Sequence, residues 1–385
     1  MHIHTVQKGE TVFSIAERYG VYPSKIIENN GISNPRRLCV GQELLILTPT
    51  RTYTVKDGDT LSGIAMRFDT TRRDILRANP SHTKSERLVS GEVLAVKCGA
   101  ERYGCAASNG YFYQGCSKEK LLSVMPYLTY LTVASTVKDK DGFHSVFNEK
   151  DTVRLAREQA KIPLLRIYDT SDGGCYFDKS CREALTDEMI EIAKRGGFSG
   201  IVLSAFRAYE ASPQGFGEFI VDLRKKLIGS DLIIFVEVDE LTSPLCSEFA
   251  DGAVFTYDKL ALSEAPSFKD GERRALTDFA ERSESSKTFV DIPALAYSDG
   301  RYMSVGEAIA SASSSGAEIS SDKDSLVSSF SLGSSAVRFE SMENIKAKLG
   351  LVSELGYMGI SFDIMRTPIS TLMMYDSLFK TFCGL

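Results

Sequence analysis

The 385-residue chain contains no tryptophan, although it has 16 tyrosines and 21 phenylalanines. Proteins that bind sugars or nucleobases by stacking commonly use the indole ring, so this absence argues mildly against such binding. No apolar run approaches the roughly 18–20 residues of a membrane helix, and we expect no membrane span. The formal net charge of −6 disfavours nucleic acid as the main partner. The remaining composition is typical of a globular protein, and the length predicts two or three domains.

The eight cysteines form no CxxC pair, and no histidine lies near them at zinc-finger spacing. Only Cys175 and Cys181 are close neighbours. This pattern disfavours a zinc site and predicts free thiols in a reducing compartment, and we expect no metal and no cofactor. The first residues show no charged region, apolar region or cleavage site of a signal peptide, which predicts synthesis in the cytoplasm without secretion.

Two N-terminal segments, residues 4–47 and 53–96, repeat each other. The shared positions lie 49 residues apart and are Gly9 and Gly58, Thr11 and Thr60, Ile15 and Ile64, Ala16 and Ala65, and Asn30 and Asn79. Gly41 recurs as Gly91, at an offset of 50. Helical spacing of apolar residues between two short β-prone runs predicts a βααβ unit of about 45 residues in each copy. The predicted domains are therefore residues 1–49 and 50–98, followed by 99–385.

Each copy contains Y/H-T-V-x-x-G-[DE]-T-x-x-x-I-A, an Asn-Asn or Asn-Pro pair after the second helix, and a V-G-Q-x-L or related ending. This pattern resembles the LysM domain, in which a shallow groove between two loops binds N-acetylglucosamine polymers. The resemblance implies groove residues in copy 1, namely Gly9, Glu10, Thr11, Val12, Asn30, Gly31 and Ile32. In copy 2 it implies Gly58, Asp59, Thr60, Leu61, Asn79 and Pro80. Such a groove needs no indole. The same threonines and asparagines can also serve as helix caps and helix ends, and the two roles are compatible.

After residue 98, eight β-rich runs alternate with amphipathic helical segments. The predicted strands are Ser108–Tyr113, Tyr130–Ser135, Leu164–Tyr168, Gly200–Ser204, Leu232–Glu237, Gly252–Tyr257, Thr288–Ile292 and Tyr357–Phe362. This order predicts an α/β fold, a (β/α)₈ TIM barrel preceded by the two small βααβ domains. An open doubly wound sheet is the competing arrangement, but the sequence lacks the glycine-rich phosphate turn that it would carry.

The segments Asn109-Gly110-Tyr111, 126–135, 255–258 and 359–362 resemble family 18 glycoside hydrolases. The segment Ser304–Phe362 is similar to the subgroup that carries N-terminal LysM modules. That resemblance implies action on the peptidoglycan of bacterial spores as an N-acetylglucosaminidase, a location in the spore coat or cortex, and contact with spore-envelope proteins.

The acidic motif of that family, D-x-x-D-x-D-x-E at the end of the fourth strand, has no carboxylate in this chain. The matching positions hold Ser199, Val202, Ser204 and Phe206. Phenylalanine cannot donate a proton, and general acid catalysis is typically worth about 10²–10⁴-fold. Asp363 stands where the family usually places a tryptophan under the sugar, whereas Tyr257 and Asp258 are retained.

Other acidic residues are expected near the barrel mouth: Asp169, Glu210, Glu237, Asp239, Asp258 and Asp363. They could form a relocated active site or a metal site, or they could be solvated or paired with Arg166, Arg207 and Arg366. Three functions follow from these alternatives. The first is a glycan-binding protein with an inactive glycosidase-like barrel. The second is an active N-acetylglucosaminidase that uses relocated acids. The third, compatible with the first, is a barrel whose top face binds a protein or a sugar.

Overall fold

The computed structural model describes residues 1–83, 85, 87–98, 102–176, 178–239, 250–256 and 271–381. The first domain consists of β1 (His2–Thr5), α1 (Val12–Tyr19), α2 (Pro23–Asn30) and β2 (Glu43–Ile46), with β1 and β2 antiparallel. Its core is made by apolar residues at helical and strand spacing, namely Val6, Val12, Ile15, Ala16, Ile26, Leu44 and Ile46. We call this domain copy 1.

The second domain, copy 2, repeats the βααβ order. It consists of β3 (Pro49–Thr54), α3 (Leu61–Arg67), α4 (Arg72–Ala78) and β4 (Val93–Cys98), with a short 3₁₀ turn at Pro80–Thr83. The first helix of each copy begins at a threonine, Thr11 or Thr60, whose hydroxyl accepts a hydrogen bond from the backbone three residues later. The predicted helix-capping role of these threonines is confirmed.

Eight parallel strands form a closed barrel. They are β5 (Gly104–Phe112), β6 (Tyr130–Asp139), β8 (Ile162–Asp169), β9 (Gly200–Ser204), β10 (Ile233–Val238), β11 (Gly252–Phe255), β12 (Thr288–Asp291) and β18 (Gly359–Asp363). The sheet closes because β5 pairs with both β6 and β18. Each of the eight predicted strands is found, and the open doubly wound alternative is excluded. A hairpin strand, β7 (Gly142–Ser145), extends β6, and β19 (Phe379–Thr381) pairs with the start of β5.

Helices surround the barrel. They are α5 (Lys118–Val124), α6 (Lys150–Glu158), α7 (Lys179–Gly196), α8 (Phe206–Ala211), α9 (Pro213–Leu227), α10 (Glu272–Arg282), α12 (Met342–Glu354) and α13 (Ile369–Leu378). Alternate strand residues point inward and fill the barrel with side chains such as Leu164, Val202, Phe235 and Phe289. The barrel interior is therefore a packed core, and a ligand can approach only at its open ends.

A small α/β subdomain is inserted between β12 and β18. It contains β13 (Leu295–Ser298), β14 (Arg301–Ser304), α11 (Val305–Ser315), β15 (Ser320–Ser321), β16 (Val327–Leu332) and β17 (Ser335–Glu340). The five strands form an antiparallel sheet in the order β14-β13-β17-β16-β15. We call this unit the insertion subdomain. The sequence reasoning did not predict it.

The three domains are in direct contact. Copy 1 meets the insertion subdomain where the Ile319 N–H donates to the Val40 carbonyl at 2.9 Å and the Cys39 thiol donates to the Ala317 carbonyl at 3.0 Å. Copy 2 meets the barrel at Arg77, whose carbonyl accepts a hydrogen bond from the Tyr127 hydroxyl at 2.6 Å.

The expectation of free thiols is wrong for one pair, because Cys175 and Cys181 form a disulfide. The loop after β8 folds back onto the first turn of α7 and brings the two sulfurs together, which a separation of six residues alone does not reveal. Four other cysteines in the described part of the chain, Cys39, Cys98, Cys105 and Cys116, are free thiols. Cys246 and Cys383 lie outside the described residues. Among the helices described, none combines the length and the apolar character needed to cross a membrane.

Candidate functional site

The fourth barrel strand, β9, carries the positions at which the acidic motif was sought. Val202 and Ser204 are fully buried, and Val202 belongs to the cluster of side chains that fills the barrel. Ser199 precedes the strand and is half-buried. Phe206 is not part of the strand, because it is the first residue of α8, and it is also half-buried. The inward orientation expected from strand periodicity therefore holds for Val202 and Ser204, which lie on β9, and not for Ser199 and Phe206, which lie outside it.

An ion pair occupies the barrel end beside Ser204. The Arg166 guanidinium on β8 donates through Nε to Glu237 Oε1 at 2.6 Å and through a terminal nitrogen to Oε2 at 2.8 Å. The same guanidinium donates to the Ser204 hydroxyl at 3.1 Å, and the Tyr111 hydroxyl donates to Glu237 at 2.9 Å. Bidentate pairs of this kind fix both side chains in one geometry. One alternative from the sequence was that acidic residues at the barrel mouth pair with arginines, and Glu237 does so with Arg166.

This network determines the charge state of Glu237, whose side chain is only 6% exposed. Burial alone would raise the pKa of the Glu237 carboxyl, but the Arg166 charge and the hydrogen bonds from Arg166, Ser204 and Tyr111 lower it below its ordinary value. Burial raises the pKa of Tyr111 well above its ordinary value, and the Glu237 charge adds to this effect. At neutral pH the site therefore contains an ionised carboxylate and a neutral phenol.

The cavity at the barrel mouth is small. Its volume is about 90 Å³, and it is lined by Tyr111, Tyr113, Arg166, Glu237, Thr256, Asp291, Pro293, Leu295, Asp363 and Arg366. Ligand pockets in proteins usually measure about 300–1,000 Å³. The cavity lined by the described residues of the mouth is therefore smaller than a usual ligand pocket.

Of the other candidate acids that the structure describes, Asp363 lines this cavity, whereas Asp169, Glu210 and Asp239 do not. Asp169 is buried and engaged by the Tyr176 hydroxyl at 2.5 Å and the Lys138 ammonium at 3.3 Å. Asp363 lines the cavity and lies 3.6 Å from Arg366. Glu210 is exposed on α8.

Asp239 is half-buried at the end of the described segment after β10. Tyr257 and Asp258 lie outside the described residues. In the parts of the chain that the structure describes, no group of three or more His, Cys, Asp or Glu side chains is arranged to hold a metal ion.

In both N-terminal copies, the acidic residue of the first loop stabilises the loop itself. Glu10 accepts from the Gln7 N–H at 2.8 Å and contacts His4 at 2.7 Å. The matching Asp59 accepts from the Lys56 N–H at 2.8 Å and from a tyrosine hydroxyl at 2.7 Å. These side chains therefore fix the backbone that forms one edge of each predicted groove.

The repeated asparagines connect the second helix to the closing strand. The Asn30 amide donates to the Leu45 carbonyl at 2.9 Å, and its oxygen accepts from the Leu45 N–H at 2.7 Å. Asn79 makes the same pair of bonds to Ala95, at 2.8 and 3.0 Å. Both asparagines therefore have a structural role, which is compatible with forming the rim of a groove.

The predicted groove residues differ in their exposure. Those exposed to solvent are Gly9, Thr11, Gly31, Gly58 and Thr60. Those partly exposed are Glu10, Asn30, Ile32 and Asp59. Those buried are Val12, Leu61, Asn79 and Pro80. Val12 and Leu61 belong to the cores of their own domains.

Sequence reasoning missed two contributors to the barrel mouth, Tyr113 and Asp291. Tyr113 follows β5 and Asp291 ends β12, at the carboxyl edge where ligand-binding residues of this fold lie. Their position at a strand end was the signal that could have identified them.

Comparison with known proteins agrees with this architecture. The family model of the LysM domain matches residues 4–47 and 53–97. Among curated proteins, the chain is 22% identical over 254 residues to the sporulation-specific protein YdhD of Bacillus subtilis, named as a candidate glycosylase. That match covers 63% of this chain and 59% of YdhD. The cell wall-binding protein YocH of Bacillus subtilis is 35% identical over 109 residues, which are 27% of this chain and 37% of YocH. The chain thus spans less than two thirds of the curated relatives that it matches.

The fold is similar to that of solved structures over the whole chain. The spore cortex-lytic enzyme SleL of Bacillus cereus superimposes with a TM-score of 0.77 at 20% identity, covering 100% of both chains. SleL of Bacillus megaterium gives a TM-score of 0.76, also at 20% identity, covering 100% of this chain and 99% of that one. A chitinase of Chromobacterium violaceum gives 0.62 at 17% identity, covering 71% of this chain and 98% of that one. The chain therefore carries two LysM domains, followed by a (β/α)₈ barrel with the chitinase fold.

Proposed function

We propose that this protein binds peptidoglycan, or a related N-acetylglucosamine polymer, through its LysM domains and does not hydrolyse it. The observation that carries this proposal is the Arg166–Glu237 ion pair, which occupies the end of the barrel beside a fourth strand without carboxylates. The LysM domains support the claim that the protein binds the glycan, and the ion pair supports the claim that it does not hydrolyse it.

The electrostatics of the barrel mouth support the absence of hydrolysis. A general acid must hold a proton near the working pH, so its pKa is usually raised. The pKa of Glu237 is shifted in the opposite direction, because the Arg166 guanidinium stabilises the carboxylate. Both Glu237 oxygens are engaged by hydrogen bonds, and the described residues in front of the pair line a cavity of about 90 Å³, which is below the usual size of a ligand pocket. An ionised carboxylate that accepts hydrogen bonds at both oxygens is poorly suited to protonate a leaving oxygen.

The loops of the LysM domains support the binding half. Gly9 and Gly31 are exposed at positive φ, and no described atom lies within 4 Å of where a Cβ would stand. These turns leave room for a ligand beside the backbone. The relatives named for cell-wall binding and for amidase activity on N-acetylmuramoyl-L-alanine match the chain over short segments of 89 to 122 residues.

We further propose that the protein works in the spore envelope, at the cortex or coat, where spore-envelope proteins would be its neighbours. Two similarities support this location, the sporulation-specific relative and the cortex-lytic enzymes of the same architecture. The barrel would then serve as a scaffold that holds the LysM domains at the glycan.

A sedimentation experiment tests the binding half. The full-length protein is mixed with insoluble spore-cortex peptidoglycan, with chitin, and with cellulose as a glucan that lacks acetamido groups. We expect the protein to sediment with peptidoglycan or chitin and to remain in solution with cellulose. Soluble N-acetylglucosamine tetramer should release it. Protein that stays in solution with both acetamido polymers, or that sediments equally with cellulose, would overturn the proposal.

A further inference from the structure

The two LysM copies are not equally accessible. Each predicted groove lies between a first loop, before the first helix, and a second loop, after the second helix. In copy 1 both loops are open: Gly9 and Thr11 are exposed in the first, and Gly31 is exposed in the second. No described atom lies within 4 Å of a Cβ built at Gly9 or Gly31. A glycan can therefore reach both sides of this groove.

In copy 2 the first loop is open but the second is buried. Gly58 and Thr60 are exposed, whereas Asn79 is completely buried and His82 and Thr83 are each 8% exposed. The 3₁₀ turn at Pro80–Thr83 packs against α2 of copy 1 and α5 of the barrel. The surface that corresponds to the second side of the groove is thus an interface between domains.

Side chains of copy 1 bond directly to this loop. The Lys25 ammonium donates to the Asn79 side-chain oxygen at 2.8 Å, and the Ser81 N–H donates to Glu28 at 2.5 Å. Lys25 and Glu28 are themselves paired at 2.9 Å, and each side chain is only 15% exposed. The second loop of copy 2 therefore already has a partner, helix α2 of copy 1.

The backbone also takes a different path in the two copies. Helix α2 is followed by Gly31, whose φ of +61° sends the chain into an exposed loop. Helix α4 is followed by Asn79 with φ −141°, and the chain continues directly into the buried turn. The divergence begins where Gly31 in copy 1 is replaced by Pro80 in copy 2. Proline cannot adopt positive φ, so copy 2 cannot form the copy 1 loop.

From these contacts we infer that the two LysM copies have different roles: copy 1 provides the glycan-binding groove, and copy 2 is an adaptor that joins copy 1 to the barrel. This inference rests on the proposed function. For copy 2 to bind between both loops, the turn would have to leave α2 and α5. If only molecules with the turn displaced can bind, the apparent affinity of copy 2 is reduced in proportion to the fraction of such molecules.

Matched glycine variants in the full-length chain test this division. Gly9→Asn adds a side chain to the open first loop of copy 1, and Gly58→Asn adds it at the equivalent place in copy 2. Gly229→Asn, on the barrel, controls for the strain of a side chain at positive φ. The φ of Gly229 is +82°, close to +84° at Gly9 and +81° at Gly58, and no described atom lies within 4 Å of a Cβ built there. Asparagine is among the residues that best tolerate this conformation.

The readout is the affinity for N-acetylglucosamine tetramer, together with amide hydrogen exchange with and without the tetramer. We expect Gly9→Asn to weaken binding at least 10-fold, while Gly58→Asn stays within 2-fold of Gly229→Asn. We also expect tetramer to protect amides at residues 9–12 and 31–34 and to leave those at 58–61 unchanged.

Weaker binding by Gly58→Asn, or protection at 58–61, would overturn the inference while leaving the proposed function intact. A wild-type protein that binds neither the tetramer nor insoluble polymer would instead overturn the proposed function. If both variants bind as the wild type does, the hydrogen-exchange result decides: protection at residues 9–12 and 31–34 alone supports the inference, and protection at 58–61 overturns it.

Discussion

Arg166 and Glu237 lie on the two strands that flank β9, and their ion pair bridges this strand in front of Ser204. The barrel end at which the acidic motif was expected thus holds a carboxylate, Glu237, that a cation neutralises. Because the guanidinium also bonds to the Ser204 hydroxyl, the ion pair and the fourth strand form a single network. The absence of the motif and the presence of the ion pair therefore concern the same end of this barrel.

Removing one partner of this pair should be costly. Glu237→Gln leaves the Arg166 guanidinium, whose side chain is 16% exposed, without its counter-charge. Breaking a buried pair in this way typically costs about 3–5 kcal/mol, whereas replacing both charges is often close to neutral. We expect Glu237→Gln to lower the free energy of unfolding by an amount near that range, and Arg166→Met/Glu237→Gln to recover most of the loss. Urea denaturation measures both. A double variant less stable than the single one would contradict the account.

The pair also predicts a direction of pH dependence. The pKa of Glu237 is lower in the folded protein than the value of about 4.3 for a free glutamate. The folded state then binds fewer protons than the unfolded state, so the stabilisation is complete above that value and is lost as the pH falls through the folded-state pKa. We expect the difference in unfolding free energy between wild type and Glu237→Gln to shrink as the pH is lowered from 6 to below 4. Urea titrations across that range measure it, and a constant or growing difference would be inconsistent with this ion pair.

Docking of copy 1 should depend on Gly41. A Cβ at this position would lie 1.8 Å from the Ile319 carbonyl oxygen of the insertion subdomain. The repeat supplies a matched control, because Gly91 has a similar φ, +88° against +81°, and no described atom within 4 Å. We expect Gly41→Ala to destabilise the protein by about 1–3 kcal/mol more than Gly91→Ala, the usual cost of overpacking. Thermal unfolding and amide exchange at residues 317–321 report the effect. Equal losses in the two variants would mean that the contact contributes nothing.

The two asparagines should differ in what they contribute to stability. Asn79 is fully buried and bonds to the Ala95 backbone and to Lys25 of copy 1, whereas Asn30 is partly exposed. Replacing a buried amide by alanine leaves its partners unsatisfied, which costs about 1–3 kcal/mol for each buried group. Asn79→Ala should therefore lower the unfolding free energy more than Asn30→Ala does. The comparison is made by chemical denaturation of the full chain, and a larger loss with Asn30→Ala would refute it.

The architecture of the chain could be predicted in large part from the sequence. Parallel barrel strands are buried on both faces, so they appear as apolar runs that are easy to place, and all eight were found. The insertion subdomain was missed because its strands are short, rich in serine and buried on one face only. Two signals were nevertheless present: 67 residues separate β12 from β18, far more than one helix requires, and Asp299-Gly300 forms a hairpin turn.

The site was harder to predict because it depends on contacts between distant residues. Arg166 and Glu237 are separated by 71 residues, and only the barrel register places them on either side of β9. The repeat pattern likewise describes the internal fold of a LysM domain and contains no information on its neighbours. For this reason Asn79 matched the groove residue Asn30 in sequence, although it is buried and bonds to Lys25 of copy 1.

The most direct test of the central claim is a measurement of turnover on the intended polymer. Spore-cortex peptidoglycan is incubated with the full-length protein at high concentration, and released fragments are identified by mass spectrometry, with an active cortex-lytic enzyme as the positive control. We predict that the protein remains on the polymer and that no muropeptides are released above the level without protein. Release of fragments by the wild type that is abolished in Glu237→Gln or Glu210→Gln would contradict the account and show that the barrel is an enzyme.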